Sequence, residues 1–345
     1  MLPEGKKIRV FVVDDSAVAR AFMISGLAQK PNIEIIGYAV NATQALQEIP
    51  RLRPDVITSD VEMPDMSGIE MLKKLLPTCP VPAILVSSLN LRVFEALAAG
   101  AVDFVRKPDG SQKREEFIAT LADKIVIANY AHVRMAPRQT APERVEKAPA
   151  IQLGREPAIE RMIIGLGAST GGTEATLDVL KRLPADIPPM VVVQHMPPGF
   201  TQMYAERLNR LCAMEVREAA DGDVLRRGLV LVAPADLQCR VVKSGDQYRV
   251  SCRPGEKVSG HRPSVDVLFS SMAENVTGKM VGIILTGMGH DGSEGLLAMR
   301  KKGAYTIGQD KESSVVYGMP MVAYDIGAVL VQDGKVAAVL PESAL

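Results

Sequence analysis

The fold is decided first by residues 8–16, IRVFVVDDS, where a short apolar run ends in two carboxylates. Further apolar runs follow at 33–38, 56–59, 83–87 and 102–105. Helix-like stretches alternate with them at 17–29, 43–49, 67–76, 92–99 and about 113–130. Strands that alternate with helices in this way predict a five-stranded, doubly wound parallel sheet.

A second α/β pattern follows a segment that lacks periodicity. Residues 131–157 are rich in Pro, Ala and charge, which predicts an extended linker. Beyond it, strands are predicted at 162–166, 190–194, 280–285 and 305–309, with helices at 173–183, 201–211, 265–275 and 293–302. Short β runs and turn residues within 214–253 predict a β-hairpin insertion. The sequence therefore predicts a domain at 1–130, a linker at 131–157 and a second α/β domain at 158–345.

Composition limits the classes of function. The 345 residues carry 40 basic and 40 acidic side chains and no Trp. This balance argues against a nucleic-acid partner, which usually requires a basic patch or aromatic stacking platforms. No apolar stretch reaches the roughly 18 residues of a membrane span, and the start does not have the pattern of a signal peptide. We expect a cytoplasmic protein without membrane insertion, in which a disulfide between Cys239 and Cys252 is disfavoured.

Ionisable and hydroxyl side chains follow successive strands of the first domain. Asp14 and Asp15 end the first strand, Asp60 ends the third, Ser87 ends the fourth, and Lys107 follows the fifth. The carboxyl ends of parallel strands meet at one edge of a sheet, where ligands bind. Three carboxylates suit Mg²⁺, and a lysine beside them suits a phosphoryl group. This pattern predicts a phosphoryl-transfer site with Asp60 as the nucleophile.

The segments VVDDS, SDVEMPDMSG, LVSS and DFVRKP resemble the signature segments of response-regulator receiver domains, over residues 8–130. The resemblance implies a flavodoxin-like fold in which Asp60 accepts the phosphoryl group. It implies a Mg²⁺ site made by Asp14, Asp15, Asp60 and the backbone of Glu62. It also implies phosphate-sensing roles for Ser87, Phe104 and Lys107, with Phe104 where some relatives have tyrosine.

The glycine-rich turn of the second domain, GLGASTGG at 165–172, has two motif interpretations. As a dinucleotide fingerprint it is imperfect, because Thr170 occupies the third glycine position and no acidic residue ends the next strand. As a nucleophile elbow it matches G-x-S-x-G, with Ser169 between Gly167 and Gly171. The pentapeptide by itself is also typical of a serine that caps a helix.

A nucleophilic serine needs a base and an orienting acid, and both follow nearby strands. His195 ends the strand after the serine unit, and Asp291 lies in the loop after the strand at 280–285. Of the rival bases, His290 adjoins Asp291 in sequence, so the two side chains are expected to diverge. His261 is not excluded by its spacing.

The segments GLGASTGG, VVVQHMPPGFT, HRPSVDVLF, LTGMGHDGSEGL and SSVVYGMP resemble the catalytic domain of the chemotaxis methylesterase family CheB, over residues 160–342. The resemblance implies a doubly wound α/β hydrolase domain in which Ser169 is the nucleophile, His195 the base and Asp291 the orienting acid. It also implies an oxyanion hole made by backbone N–H groups around Thr170 and Met288.

The two resemblances together imply a function. A chemotaxis histidine kinase would phosphorylate the receiver with Mg²⁺, and the activated domain would hydrolyse glutamyl methyl esters on methyl-accepting chemotaxis receptors. The resemblance also implies that some members deamidate receptor glutamines, and we expect ester hydrolysis to require no cofactor. One alternative is a phosphorylation-gated binding module without catalysis. Others are an esterase that acts on small molecules and a related esterase that serves another sensory pathway. A transcriptional regulator is a further alternative, but the sequence shows no helix-turn-helix pattern that would support it.

Overall fold

The computed structural model describes residues 6–87, 92–108, 114–133 and 162–333. The chain divides into two compact units, Met1–Pro142 and Glu143–Leu345. The predicted linker at 131–157 lies outside the described residues from position 134 onward. The domain boundaries placed at 130 and 158 therefore stay predictions.

The first unit contains a five-stranded parallel sheet with the order β2-β1-β3-β4-β5. Its strands are β1 (Ile8–Val13), β2 (Ile33–Ala39), β3 (Val56–Asp60), β4 (Ala83–Ser87) and β5 (Asp103–Arg106). Its helices are α1 (Ala17–Leu27), α2 (Ala42–Leu52), α3 (Gly68–Leu75), α4 (Arg92–Ala98) and α5 (Arg114–Ala128). The predicted alternation is confirmed, and every residue of β3 and β4 is buried, as expected for central parallel strands.

Capping side chains fix the helices that follow the acidic strand ends. Ser16 begins α1 by accepting a hydrogen bond from the backbone N of Ala19. Ser67 and Glu70 form a reciprocal capping box at the start of α3. Because each cap satisfies otherwise unpaired N–H groups, it holds the preceding loop in one path from strand to helix.

The second unit contains a seven-stranded sheet with the order β14-β13-β12-β6-β7-β9-β8, all of it parallel. Its strands are β6 (Ile163–Ala168), β7 (Met190–Gln194), β8 (Glu215–Glu218), β9 (Leu229–Val232), β12 (Met280–Ile284), β13 (Tyr305–Gly308) and β14 (Val331–Gln332). Its helices are α6 (Gly172–Leu180), α7 (Phe200–Leu211), α8 (Val265–Asn275), α9 (Ser293–Lys301) and α10 (Met319–Asp325). The predicted doubly wound fold is confirmed.

The predicted hairpin is formed by β10 (Gln238–Ser244) and β11 (Gln247–Arg253), which pair antiparallel. The stretch before it contributes β8 and β9 to the main sheet instead. The sequence of β9 explains its place in the main sheet. Its four residues LVLV are all apolar and buried, as in a strand that is covered on both faces. Cys239 and Cys252 lie opposite each other in the hairpin as free, buried thiols with their sulfurs 3.6 Å apart.

The described helices are short, and α5 spans 15 residues. Among the residues that the structure describes, none of them has both the length and the apolar character needed to cross a membrane.

Candidate active site and acidic site

Ser169 directly follows β6, the strand that lies between β12 and β7 in the sheet. Its backbone N donates to the carbonyl of Thr286 in the loop after β12, at 3.0 Å. Gly171 has φ +79° and begins α6, a conformation that favours glycine at this sharp turn. The strand, turn and helix therefore form the elbow predicted from G-x-S-x-G, with Ser169 8% exposed.

His195 directly follows β7 and lies beside the serine turn. Its backbone N donates to the carbonyl of Ala168 at 3.1 Å. The buried side chain of Gln194 ties the two strand ends together, because Nε2 donates to the carbonyls of Ser169, at 2.8 Å, and His195, at 3.2 Å. Sequence reasoning missed this role of Gln194, whose position beside a strand-end histidine was its only signal.

Asp291 is joined to His195 by a 2.8 Å hydrogen bond between Oδ2 and Nε2 of the ring. It also accepts hydrogen bonds from Ser264 Oγ at 2.6 Å, Val265 N at 2.8 Å and Asp266 N at 3.1 Å. The carboxylate thus lies at the N-terminus of α8, where the helix dipole favours negative charge. Sequence reasoning also missed Ser264, although a serine before an apolar run signals a helix cap.

These contacts decide the charge of Asp291. Its side chain is 1% exposed, and burial by itself would raise the pKa of the carboxyl group. The hydrogen bonds from His195, Ser264 and Val265 outweigh burial and hold the pKa below the ordinary aspartate value. Asp291 is therefore ionised at neutral pH and can stabilise a protonated imidazole.

The second ring nitrogen of His195 is available for proton transfer. Since Nε2 faces Asp291, Nδ1 is the nitrogen that can accept a proton. Nδ1 is buried and forms no hydrogen bond with any residue in the described part of the chain. Hydrogen bonds between a nucleophile and its base are often formed only when substrate binds.

The predicted oxyanion donors flank Ser169. Thr170 is 2% exposed and follows the serine, while Met288 lies in the loop after β12. This loop comes close to the elbow because Gly287 has no side chain: a Cβ there would lie 2.7 Å from Cβ of Ser169. The N–H of Ser169 is occupied by Thr286, so the donors must come from neighbouring residues. The roles of Thr170 and Met288 stay predictions.

The other two histidines of this region are placed differently. His290 is exposed. The ring of His261 stacks on the ring of His195, with centroids 3.7 Å apart and planes 9° apart. His261 is therefore in contact with His195.

The acidic site of the first unit brings together Asp14, Asp15 and Asp60. One carboxylate oxygen from each lies within 4.8 Å of the other two. Nζ of Lys107 donates to Oδ2 of Asp60 and lies 3.2 Å from Oδ2 of Asp14. The backbone N of Glu62 donates to Oδ1 of Asp60 at 3.2 Å. Asp14, Asp15, Asp60 and Lys107 therefore lie together at the carboxyl edge of the sheet.

The electrostatics of this site favour a cation. Burial raises the pKa of Asp14 above the ordinary value, Lys107 opposes this, and the negative charge of Asp60 adds to it. Burial alone would lower the pKa of Lys107, but the carboxylates of Asp60 and Asp14 raise it above the ordinary lysine value. Ser87 is the last residue of β4 and Phe104 is the second residue of β5, and both are buried, 2% and 3% exposed.

Comparisons with known proteins match both parts of the chain to known families. Residues 164–339 match the family model described as CheB methylesterase, and residues 10–119 match the response regulator receiver domain. The chain belongs to the CheB methylesterase family. It is therefore a hydrolase with an attached receiver domain, which indicates regulation by phosphorylation.

Relatives of this CheB-family chain are similar over most of their length. The protein-glutamate methylesterase/protein-glutamine glutaminase 2 of Syntrophomonas wolfei is 48% identical, over 94% of this chain and 93% of that protein. The protein-glutamate methylesterase/protein-glutamine glutaminase of Sulfurimonas denitrificans is 47% identical, over 93% and 94%. The crystal structure of the Thermotoga maritima CheB methylesterase catalytic domain matches with a TM-score of 0.51 and 34% identity, over 53% of this chain and 98% of that one.

Proposed function

We propose that this chain hydrolyses glutamyl methyl esters on methyl-accepting chemotaxis receptors, with Ser169, His195 and Asp291 as its catalytic residues. The observation that carries the proposal is the position of these residues: Ser169 and His195 directly follow the adjacent strands β6 and β7, Asp291 lies in the loop after β12, and the ring of His195 is bonded to Asp291. The relatives are named as protein-glutamate methylesterases, which supports the same substrate class.

The proposed reaction has two steps. Ser169 Oγ attacks the ester carbonyl carbon while Nδ1 of His195 takes the hydroxyl proton, and the resulting oxyanion accepts hydrogen bonds from the N–H groups of Thr170 and Met288. The C–O bond to the methoxy group then breaks, and methanol leaves with the proton from His195. In the second step His195 takes a proton from water, which attacks the acyl-serine. Ser169 regains its proton, and a glutamate side chain is released.

The same residues can release ammonia from a glutamine amide. The acyl-serine intermediate is identical, and only the leaving group differs, since an amine must be protonated by His195 before the C–N bond breaks. The names of the relatives carry both activities, which supports deamidation as a second reaction of this site. Neither hydrolysis requires a cofactor.

Phosphorylation of Asp60 is the proposed control. Its carboxylate would attack the phosphorus of a phosphohistidine on a chemotaxis histidine kinase, the P–N bond would break with the kinase histidine as the leaving group, and Lys107 would pair with the transferred group. Asp14, Asp15, Asp60 and the backbone carbonyl of Glu62 would hold Mg²⁺, which neutralises phosphoryl oxygens when bound. The residues fit this ion, since one carboxylate oxygen from each of the three aspartates lies within 4.8 Å of the other two, and Mg²⁺ prefers oxygen ligands. Both partners imply a cytoplasmic enzyme.

The test is methanol release from methylated chemoreceptor membranes. We expect release by the wild-type chain and a loss of at least about 1,000-fold for Ser169→Ala, because the nucleophile is absent. Ser244→Ala changes an exposed serine in the hairpin and serves as the matched control. Near wild-type release by Ser169→Ala would contradict the assignment of the nucleophile. Wild-type protein without release would contradict the receptor substrate.

A further inference from the structure

We propose that His261 is a positioning residue for ester hydrolysis: its ring holds the plane of the His195 imidazole. The inference rests on the proposed function, because it concerns the base of that reaction. His261 itself takes no proton from Ser169 in this proposal.

The stack restrains rotation of the His195 ring about its Cβ–Cγ bond, which rotamer preferences alone do not fix. Rotation of a histidine ring about its Cβ–Cγ bond is broad, so the ring plane must be set by contacts. His261 covers one face of the His195 ring, with the planes 9° apart and the centroids 3.7 Å apart. Face-to-face packing leaves the ring edge open, so Nε2 can reach Asp291 and Nδ1 remains in the same plane for Ser169.

The contacts of Asp291 fix the edge of the His195 ring whose face His261 covers. An ionised carboxylate has about four acceptor sites on its two oxygens. Asp291 already accepts four hydrogen bonds, three from the segment 264–266 and one from Nε2 of His195. His195 is one of these four donors, so its ring edge is bonded to the orienting acid while the ring of His261 lies against its face.

The segment that carries His261 is itself held in place. The backbones of His261 and Val258 exchange two hydrogen bonds, at 2.9 and 3.0 Å. Gln238 is 1% exposed, and its Nε2 donates to the carbonyl of His261 at 3.2 Å while its Oε1 accepts from Ser264 N at 2.9 Å. Gln238 thus fixes both ends of residues 261–264. This short segment supplies the stacked ring at one end and the hydroxyl that binds Asp291 at the other.

The test separates stacking from imidazole chemistry. His261→Leu removes the flat ring, and we expect kcat to fall about 10-fold or more with KM nearly unchanged, since base misplacement acts on the transition state. His261→Phe keeps a flat ring without nitrogens, and we expect kcat within about threefold of wild type. His132→Leu, an exposed histidine of the other unit, is the matched control. Thermal unfolding shows whether each variant is folded. If His261→Leu does not fold, His261→Gln is measured in its place.

A second readout keeps this inference distinct from the proposed substrate. The rate at which a fluorophosphonate phosphonylates Ser169, with loss of fluoride, depends on the base but requires no receptor. We expect the same order: wild type and His261→Phe fast, His261→Leu slow. Wild-type kcat in His261→Leu, or an equal loss in His261→Phe, would overturn the positioning role, as would a change confined to KM. Wild-type protein that reacts with the probe but releases no methanol would instead overturn the receptor substrate.

Discussion

At the residue scale, Asp291 shows how a buried charge is made tolerable. A buried carboxylate is costly unless hydrogen bonds compensate for the lost water. Here two backbone N–H groups of α8, a serine hydroxyl and an imidazole supply that compensation. The same contacts that lower the pKa of Asp291 also fix the direction of its oxygens, so charge and geometry at the active site have a common origin.

Ser264→Ala tests this compensation. Removing the hydroxyl that donates to Asp291 at 2.6 Å should lower the free energy of unfolding by about 1.5–3 kcal/mol, the range for hydrogen bonds to charged groups. We also expect kcat for methanol release to fall about 10-fold, because Asp291 is less well held. Urea unfolding and methanol release measure the two effects, with Ser244→Ala as control. Unchanged stability would show that the hydroxyl contributes no net binding to the carboxylate.

At the element scale, strand ends carry the sites, and this is why much of both sites could be predicted. Apolar runs mark the strands, and a polar residue directly after a run must lie at the carboxyl edge of a parallel sheet, as Asp60 and His195 do. The bonds made by Gln194 and Ser264 could not be predicted, because they join segments that are distant in sequence. The placement of β8 and β9 in the main sheet also depends on tertiary contacts.

A loop between elements gives the next prediction. Asp65, between β3 and α3, accepts hydrogen bonds from the N–H groups of Ala42 and Thr43 at the start of α2. The bond from the N–H of Thr43 is the largest cause that lowers the pKa of Asp65, to about 2. A folded pKa below the unfolded value of about 3.9 means that the carboxylate stabilises the fold above pH 4. This contribution is lost as the pH falls towards 2.

Asp65→Asn should therefore reduce stability more at pH 7 than at pH 3. Urea unfolding of both proteins at the two pH values measures the difference, and Asp246→Asn, at an exposed aspartate of the hairpin turn, is the control. A stability difference that stays constant between the two pH values would contradict the proposed role of the carboxylate charge.

At the scale of the whole molecule, the two proposed chemistries lie in different units of the chain. Ser169, His195 and Asp291 all belong to the second unit, and Asp60 with its neighbours belongs to the first. Phosphorylation can change the rate only by favouring one state of the molecule over another, since it adds charge at Asp60 and not at the ester site. Basal hydrolysis and its activation should therefore be separable by mutation.

Asp60→Asn makes that separation. We expect basal methanol release close to wild type, because the second unit is unchanged, and no further rise when a small phosphodonor and Mg²⁺ are added, because the amide cannot accept the phosphoryl group. Asp123→Asn, at an exposed position of α5, should keep full activation. Activation that persists in Asp60→Asn would place the control point elsewhere. A loss of basal release would mean that the negative charge of unphosphorylated Asp60 also contributes to the basal rate of hydrolysis.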